Sequence, residues 1–204
     1  MSSFPALRLS NLPLFPLNAT LFPQGRLPLR VFEVRYLDLM GRCHKAGAPF
    51  GVVTLTAGRE LLVPGAPPEQ MQSVGTLAHI ESLQQTQPGL LHVVCRGDQR
   101  FRIDARRRLR HGLWVADVTL LEHDRVVALP PDLEMTARAL RQVHERTAPA
   151  AGQARYDEAG WVANRWAELL PLPLGTQYQL LALDNPLIRL EVIGDWLARA
   201  GICA

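Results

Sequence analysis

Glu33, Arg35 and Tyr36, three residues spaced along one short stretch, and Arg100 from a later one are the side chains best suited to hold something in place. A guanidinium fork matches a carboxylate in two parallel hydrogen bonds, so this set can clamp a helix to a sheet or meet the charged part of a peptide. A second group is denser. Between residues 95 and 111 stand seven arginines (96, 100, 102, 106, 107, 108 and 110) against Asp98 and Asp104, a local charge of +5 in a chain whose net charge is only +3. Arg106, Arg107, Arg108 and Arg110 have the charge to contact the phosphates of a nucleic acid. No aromatic residue alternates with them, so bases would have no stacking platform there, and a solvated turn between two strands is the plainer reading. Trp161 and Trp166 lie five apart and so fall on different faces of a helix; Trp166 fits an apolar stripe, which leaves Trp161 as the candidate for a partner surface.

Catalytic chemistry finds no foothold. Lys45 is the only lysine, in the context His44-Lys45-Ala46-Gly47, and no GxxxxGK[ST] surrounds it to cradle a phosphate. Ser2, Ser3, Ser10, Ser73 and Ser82 lie in no nucleophile motif that would pair one of them with a lysine of lowered pKa. The six histidines are scattered, and neither CxxC nor HExxH occurs, so no metal site and no cofactor is expected. Cys43, Cys95 and Cys203 are too few and too widely spaced for a disulfide framework. Cys43 and Cys95 read as small core residues, and the natural setting is a reducing cytoplasm. The first residues lack a basic stretch followed by an apolar one, and no apolar run approaches the length of a membrane span. The expectation is a non-enzymatic protein that binds no membrane.

The elements that must position these residues fall into two halves. A chain of 204 residues with 48% hydrophobic and 20% charged residues fits one large or two small globular domains. Residues 12–36 carry four prolines (13, 16, 23 and 28) between short apolar runs that include Phe15, Phe22 and Phe32. Each proline removes a backbone donor, so each should mark a strand end, an edge or a turn of a sharply cornered β structure. Strands follow at 49–56, 75–83, 89–97, 100–107 and 113–121. Between the first two of these, glycines and prolines in 58–70 mark an exposed loop. One helix interrupts the series over Glu33–Ala46, with Val34, Leu37, Met40 and Cys43 at helical spacing. From Pro130 the pattern becomes helical: a helix opening at Pro131, with Leu133, Ala137, Leu140 and His144 on one face; another from about Asp157 with Val162, Trp166, Leu169 and Leu170; a short one over Thr176–Leu183; and a last one capped by Asn185-Pro186, lined by Leu187, Leu190, Gly194 and Leu197. The boundary is expected near residue 125, giving domains 1–125 and 126–204.

With the elements in place, whole motifs line up. Leu12–Leu17, the Phe22-Pro23 turn with Gly25, Leu27–Tyr36, Phe50–Val53, Val74–Ile80, and Gly97 with Arg100, Phe101 and Ile103 resemble the Lon protease amino-terminal, substrate-binding domain family. Gln179-Leu180-Leu181 and Arg189-Leu190 resemble that family's helical tail, and Val34 departs from it where members commonly carry proline. The resemblance implies an α+β fold: a PUA-like β-barrel, closed or partly closed, with an embedded helix and a C-terminal helical bundle. In full-length Lon this region recognises substrates, and an ATPase and a Ser–Lys peptidase follow; the motifs of neither occur here, as in a stand-alone member. The resemblance thus favours a non-enzymatic module that engages unfolded or extended polypeptide, or a protein partner, and serves as an adaptor in protein quality control. Its expected contacts are Glu33, Arg35, Tyr36, Arg100 and Trp161, in a groove between barrel and bundle with loop 57–70 as a flap. RNA binding by a PUA-like domain through residues 96–110 is the alternative.

Overall fold

The computed structural model describes residues 6–60, 65, 69–147 and 153–202. The chain divides into two compact units, Met1–His123 and Asp124–Ala204. The first holds β1 (Arg8–Leu17), β2 (Arg26–Val31), α1 (Val34–Ala46), β3 (Phe50–Ala57), β4 (Gln70–Gln87), β5 (Leu90–Arg108) and β6 (Trp114–Leu120). These strands form one sheet in the order β2-β5-β4-β3-β1-β6, and β5 also pairs with β6. Five strands therefore return on themselves in a nearly closed ring, while β2 lies outside it against the first half of β5. All pairings are antiparallel except β1 with β3.

The alternation of β1 and β3 shows why the fold needs two cores. Both faces of these strands are apolar, as expected for strands covered on both sides. Leu12 and Leu14, with Val53, Leu77, Phe101 and Val118, pack into the core of the ring. Phe15 and Leu17, one residue out of phase, join Phe50, Val52, Val93 and Cys95 in a second core that α1 covers with Tyr36, Leu39, Met40 and Cys43. In the ring core Phe101 takes the space of two missing side chains. A Cβ on Gly51 would lie 2.7 Å from the Phe101 ring, and one on Gly75 would lie 2.6 Å from it. The Phe-Gly, Val-Gly-Thr and Arg-Phe motifs are thus one packing solution.

Two sequence expectations are corrected here and one is refined. Residues 89–97 and 100–107 are one continuous strand, β5, which exchanges partners along its length: Leu91–Arg96 pair with β2, and Phe101–Arg108 with β6. Gly97, read as a strand end, is where the Phe22–Gly25 turn docks. Its N–H donates to Gly25 O and its carbonyl accepts from Gln24 N, both at 2.8 Å. A Cβ there would sit only 2.2 Å from Phe22 O. Second, Pro13 and Pro16 lie inside β1, and of the strand end, edge or turn expected of each proline the edge applies. The β6 and β3 ladders overlap only at Leu14, so most of β1 has a locally unpaired edge on which a missing N–H removes no ladder bond. Pro28 obeys the same rule on β2, which pairs with β5 alone. Third, the buried stripe of α1 is Arg35, Tyr36, Leu39, Met40 and Cys43, while Val34 is 74% exposed. The helix is rotated from the predicted face, and the rotation carries Arg35 inward.

The second unit holds α2 (Glu134–Thr147), entered through a 3-10 turn at Pro131–Leu133, then α3 (Ala159–Leu169), α4 (Leu174–Ala182) and α5 (Pro186–Arg199). Ala137 and Leu140 are buried on α2, and Asn185 caps α5 by accepting from the N–H of Leu187 and Ile188. On α3 every residue from Ala159 to Ala167 is buried, so the predicted stripe is too narrow. Leu169, assigned to that stripe, is 45% exposed. Trp161 is corrected as well: it is 5% exposed, not on an open face. It packs edge-on against Tyr156 with ring centroids 5.1 Å apart, and against His144 at 6.0 Å.

Candidate functional site

An apolar pocket of about 330 Å³ opens on the barrel unit beside β2. Phe15, Pro16 and Leu17 of β1 form one wall, and Pro28 to Val31 of β2 form another. Tyr36 from the first turn of α1 and the buried Val31 extend the second core into its floor. The proline-rich opening of the chain therefore has a further consequence: Pro16 and Pro28 bring rigid, donor-free backbone to the pocket wall. At the mouth stands Phe32, 54% exposed although aromatic, at the step from β2 to α1. Glu33 and Glu60 supply carboxylates, and Arg30, on the exposed face of β2, supplies a cation. Concave, mostly apolar surface with a few charges is the usual form of a binding site.

Directly behind Glu33 lies the clamp that carries Arg35. Its side chain is 3% exposed and pairs with Glu69 at 3.3 Å and with Glu33 at 3.3 Å. It also donates to the carbonyls of Gly112 at 2.9 Å and Glu60 at 3.2 Å, and lies 4.4 Å from the Tyr36 ring centroid. Arg35 Nε is buried with no partner among the described residues. One guanidinium thus ties α1 to the β5–β6 turn and to both ends of loop 60–69. Glu69 is 7% exposed and accepts from the Trp114 indole at 3.3 Å, with Arg108 at 3.8 Å. Burial pushes its carboxyl up, but its own backbone N–H, the Trp114 indole, Arg108 and Arg35 together hold it below the ordinary carboxylate value. Burial raises the Tyr36 phenol far above its usual range, against the opposing pull of Arg35, so Tyr36 acts here as a neutral wall and not as a base.

Of the predicted contacts, Glu33, Arg35 and Tyr36 come together at the pocket and its backing clamp. Arg100 is buried at another point of the barrel, opposite Thr76 on β4, where its carbonyl accepts from Leu121 N. The carboxylate paired with Arg35 across the fold is Glu69, which the sequence places in a loop and does not connect to residue 35. Glu60 and Phe32 were missed too. Their only signals were an acid at the edge of a glycine- and proline-rich loop, and an aromatic residue directly after a proline-limited strand. Residues 61–64 and 66–68 of the expected flap, and Cys203, lie outside the described residues.

The arginine segment bonds to its own barrel while Arg106, Arg107 and Arg108 stay exposed along the strand. A bulge between Ile103 and Ala105 turns the strand, so Arg106 pairs opposite the buried Ala116 and Arg108 opposite Trp114. Arg106 donates to Met71 O at 3.1 Å and lies 5.6 Å from the Trp114 ring centroid. Arg107 donates to Asn11 Oδ1, and Arg108 to Gly112 O. Arg110 is exposed in the turn that follows. No group of three or more His, Cys, Asp or Glu side chains suited to a metal ion occurs among the described residues. Cys43 and Cys95 are both buried, and burial pushes the Cys95 thiol up to about 12. No helix among the described residues is long and apolar enough to cross a membrane.

A different arginine organises the helical unit. Arg189 is 1% exposed and donates to Asp124, to Asn164 Oδ1 at 2.9 Å, and to the carbonyls of Leu180 and Leu183. It joins α3, the end of α4, α5 and the start of the unit, which accounts structurally for the Arg189-Leu190 motif.

The architecture is that of an α+β protein: a six-stranded mixed sheet forming a near-closed ring, an embedded helix and C-terminal helices. The family model of the ATP-dependent protease La (LON) substrate-binding domain matches residues 11–199. The chain belongs to that family. A solved structure described as a Lon N-terminal domain protein from Xanthomonas campestris is 36% identical, with a TM-score of 0.73, covering 92% of this chain and 99% of that one. The N-terminal domain of Mycobacterium avium complex Lon protease, at 18% identity and a TM-score of 0.61 over 92% of this chain and 98% of that one, shares the fold. No curated protein sequence matches.

Proposed function

We propose that this domain is a cytoplasmic, non-enzymatic recognition module that engages unfolded or extended polypeptide, in the manner of an adaptor for protein quality control. The observation that carries the reading is the apolar pocket beside β2, with Phe32 standing exposed at its mouth. An apolar side chain of a bound segment enters between β1 and β2 and covers Phe32. Burying such a side chain contributes about 1.5–3 kcal/mol per anchor, a gain that depends little on sequence. The membership of a substrate-binding family supports the same class of ligand. Strand addition on β2 is a lesser contributor, because Pro28 interrupts the row of donors on that outer strand. Contacts through Arg100 or Trp161 are disfavoured by their burial.

Fluorescence anisotropy with a reduced, alkylated unfolded protein as probe tests the reading. Binding that Phe32→Asp abolishes, while the thermal melt is unchanged, supports it; equal binding by both proteins contradicts it. RNA binding is the weaker reading, since Arg106, Arg107 and Arg108 already donate to acceptors of the barrel. It requires a salt-dependent complex that disappears when Arg106, Arg107, Arg108 and Arg110 are neutralised.

A further inference from the structure

The charges around the pocket are not equivalent, and their inequality specifies the ligand further. Glu33 is already ion-paired to Arg35 at 3.3 Å. Arg30 is an exposed, flexible side chain on the outer face of β2, and pinning it to a ligand costs rotamer entropy. Glu60 is different. Its Oε1 accepts from the backbone N–H of Asn18 at 2.5 Å, and its own carbonyl accepts from Arg35 at 3.2 Å. Both ends of the residue are therefore held while Oε2 has no partner among the described residues. A half-buried carboxylate, fixed in advance beside an apolar cavity, offers its attraction without first losing freedom.

Resting on the recognition reading above, we infer that the pocket selects segments in which an apolar or aromatic anchor is flanked by a basic residue, with the lysine or arginine pairing to Glu60. The apolar walls supply affinity that depends little on sequence, and the held carboxylate supplies the discrimination. An acidic flank meets Glu60 and Glu33 together and is disfavoured. Arg30 does not reverse this order, because it can swing into solvent whereas Glu60 is tied down.

The test uses the full chain and three short fluorescent peptides, each with one phenylalanine anchor flanked by arginine, glutamine or aspartate. The expected order of affinity is arginine, then glutamine, then aspartate. Glu60→Gln is expected to weaken the arginine peptide by about fivefold, the upper range for a partly exposed ion pair, and to leave the glutamine peptide unchanged. Arg30→Gln is expected to leave the order intact. Equal affinities for the three peptides, or a preference for aspartate, overturn the selectivity while leaving the recognition reading standing. If the pocket binds none of the three, both fall. An arginine preference that persists in Glu60→Gln overturns the assignment to Glu60.

Discussion

The two cores of the barrel unit are built from the same strands and end differently. The ring core is sealed: Phe101 fills it so completely that Gly51 and Gly75 can carry no side chain. The second core, one residue out of phase along β1 and β3, is covered by α1 but stays open beside β2, where Phe15, Leu17, Val31 and Tyr36 form the walls and floor of the pocket. The difference teaches where the sequence serves stability and where it is available for binding. A closed core uses every apolar contact internally. An open one keeps part of its apolar surface for a partner, and needs a rigid rim to stop the barrel from collapsing into the gap. The Arg35 clamp supplies that rim.

Breaking the sealed core should give the largest effect. Phe101→Ala is expected to destabilise the protein by about 3–5 kcal/mol, because the two glycines facing the ring bring no side chain of their own into the void; urea unfolding measures this. Arg35→Ala should come next, at about 3 kcal/mol, since it leaves the buried Glu69 without its closest cation. Adding Glu69→Gln should recover part of that loss, and a double-mutant cycle reads the coupling.

The acid limb gives a smaller effect of defined sign. Glu69 has a folded pKa below its ordinary value of 4.5, so its ionised form adds stability that is complete above 4.5 and is lost as pH falls through and below that value. Urea midpoints for Glu69→Gln should therefore depend less on pH below 4.5 than those of the parent protein. The smallest effect on stability belongs to the open core: Phe32→Asp should change the unfolding free energy by no more than about 0.5 kcal/mol, as for other exposed sites, while removing polypeptide binding. A large stability loss from this change would make Phe32 a core residue and erase the contrast between the two cores.

Much of this fold was legible because period-two alternation, proline placement and helix capping are local signals. The start of α5 at Asn185-Pro186 and the strand at Phe50–Ala57 lie close to where local chemistry places them. The site was only half legible. Glu33, Arg35 and Tyr36 stand together in the chain, but Glu69 reaches Arg35 across 34 residues, through a closure that no local pattern encodes. The charge of 96–110 suggested a surface. Arg106, Arg107, Arg108 and Arg110 are exposed as that charge implies, whereas the bulge at Ile103/Ala105 leaves little trace in sequence. Trp161 was misplaced for another reason. Helical-face reasoning assumes one solvated side, and α3 has almost none.

The most direct test of the central claim is a backbone NMR titration of the full chain with an unfolded, non-aggregating polypeptide. The account predicts shifts concentrated at Phe15–Leu17 and Leu29–Tyr36, with the ring core around Phe101 unperturbed. Shifts confined to the β5 arginines or to the helical unit, or no shifts at all, would contradict it.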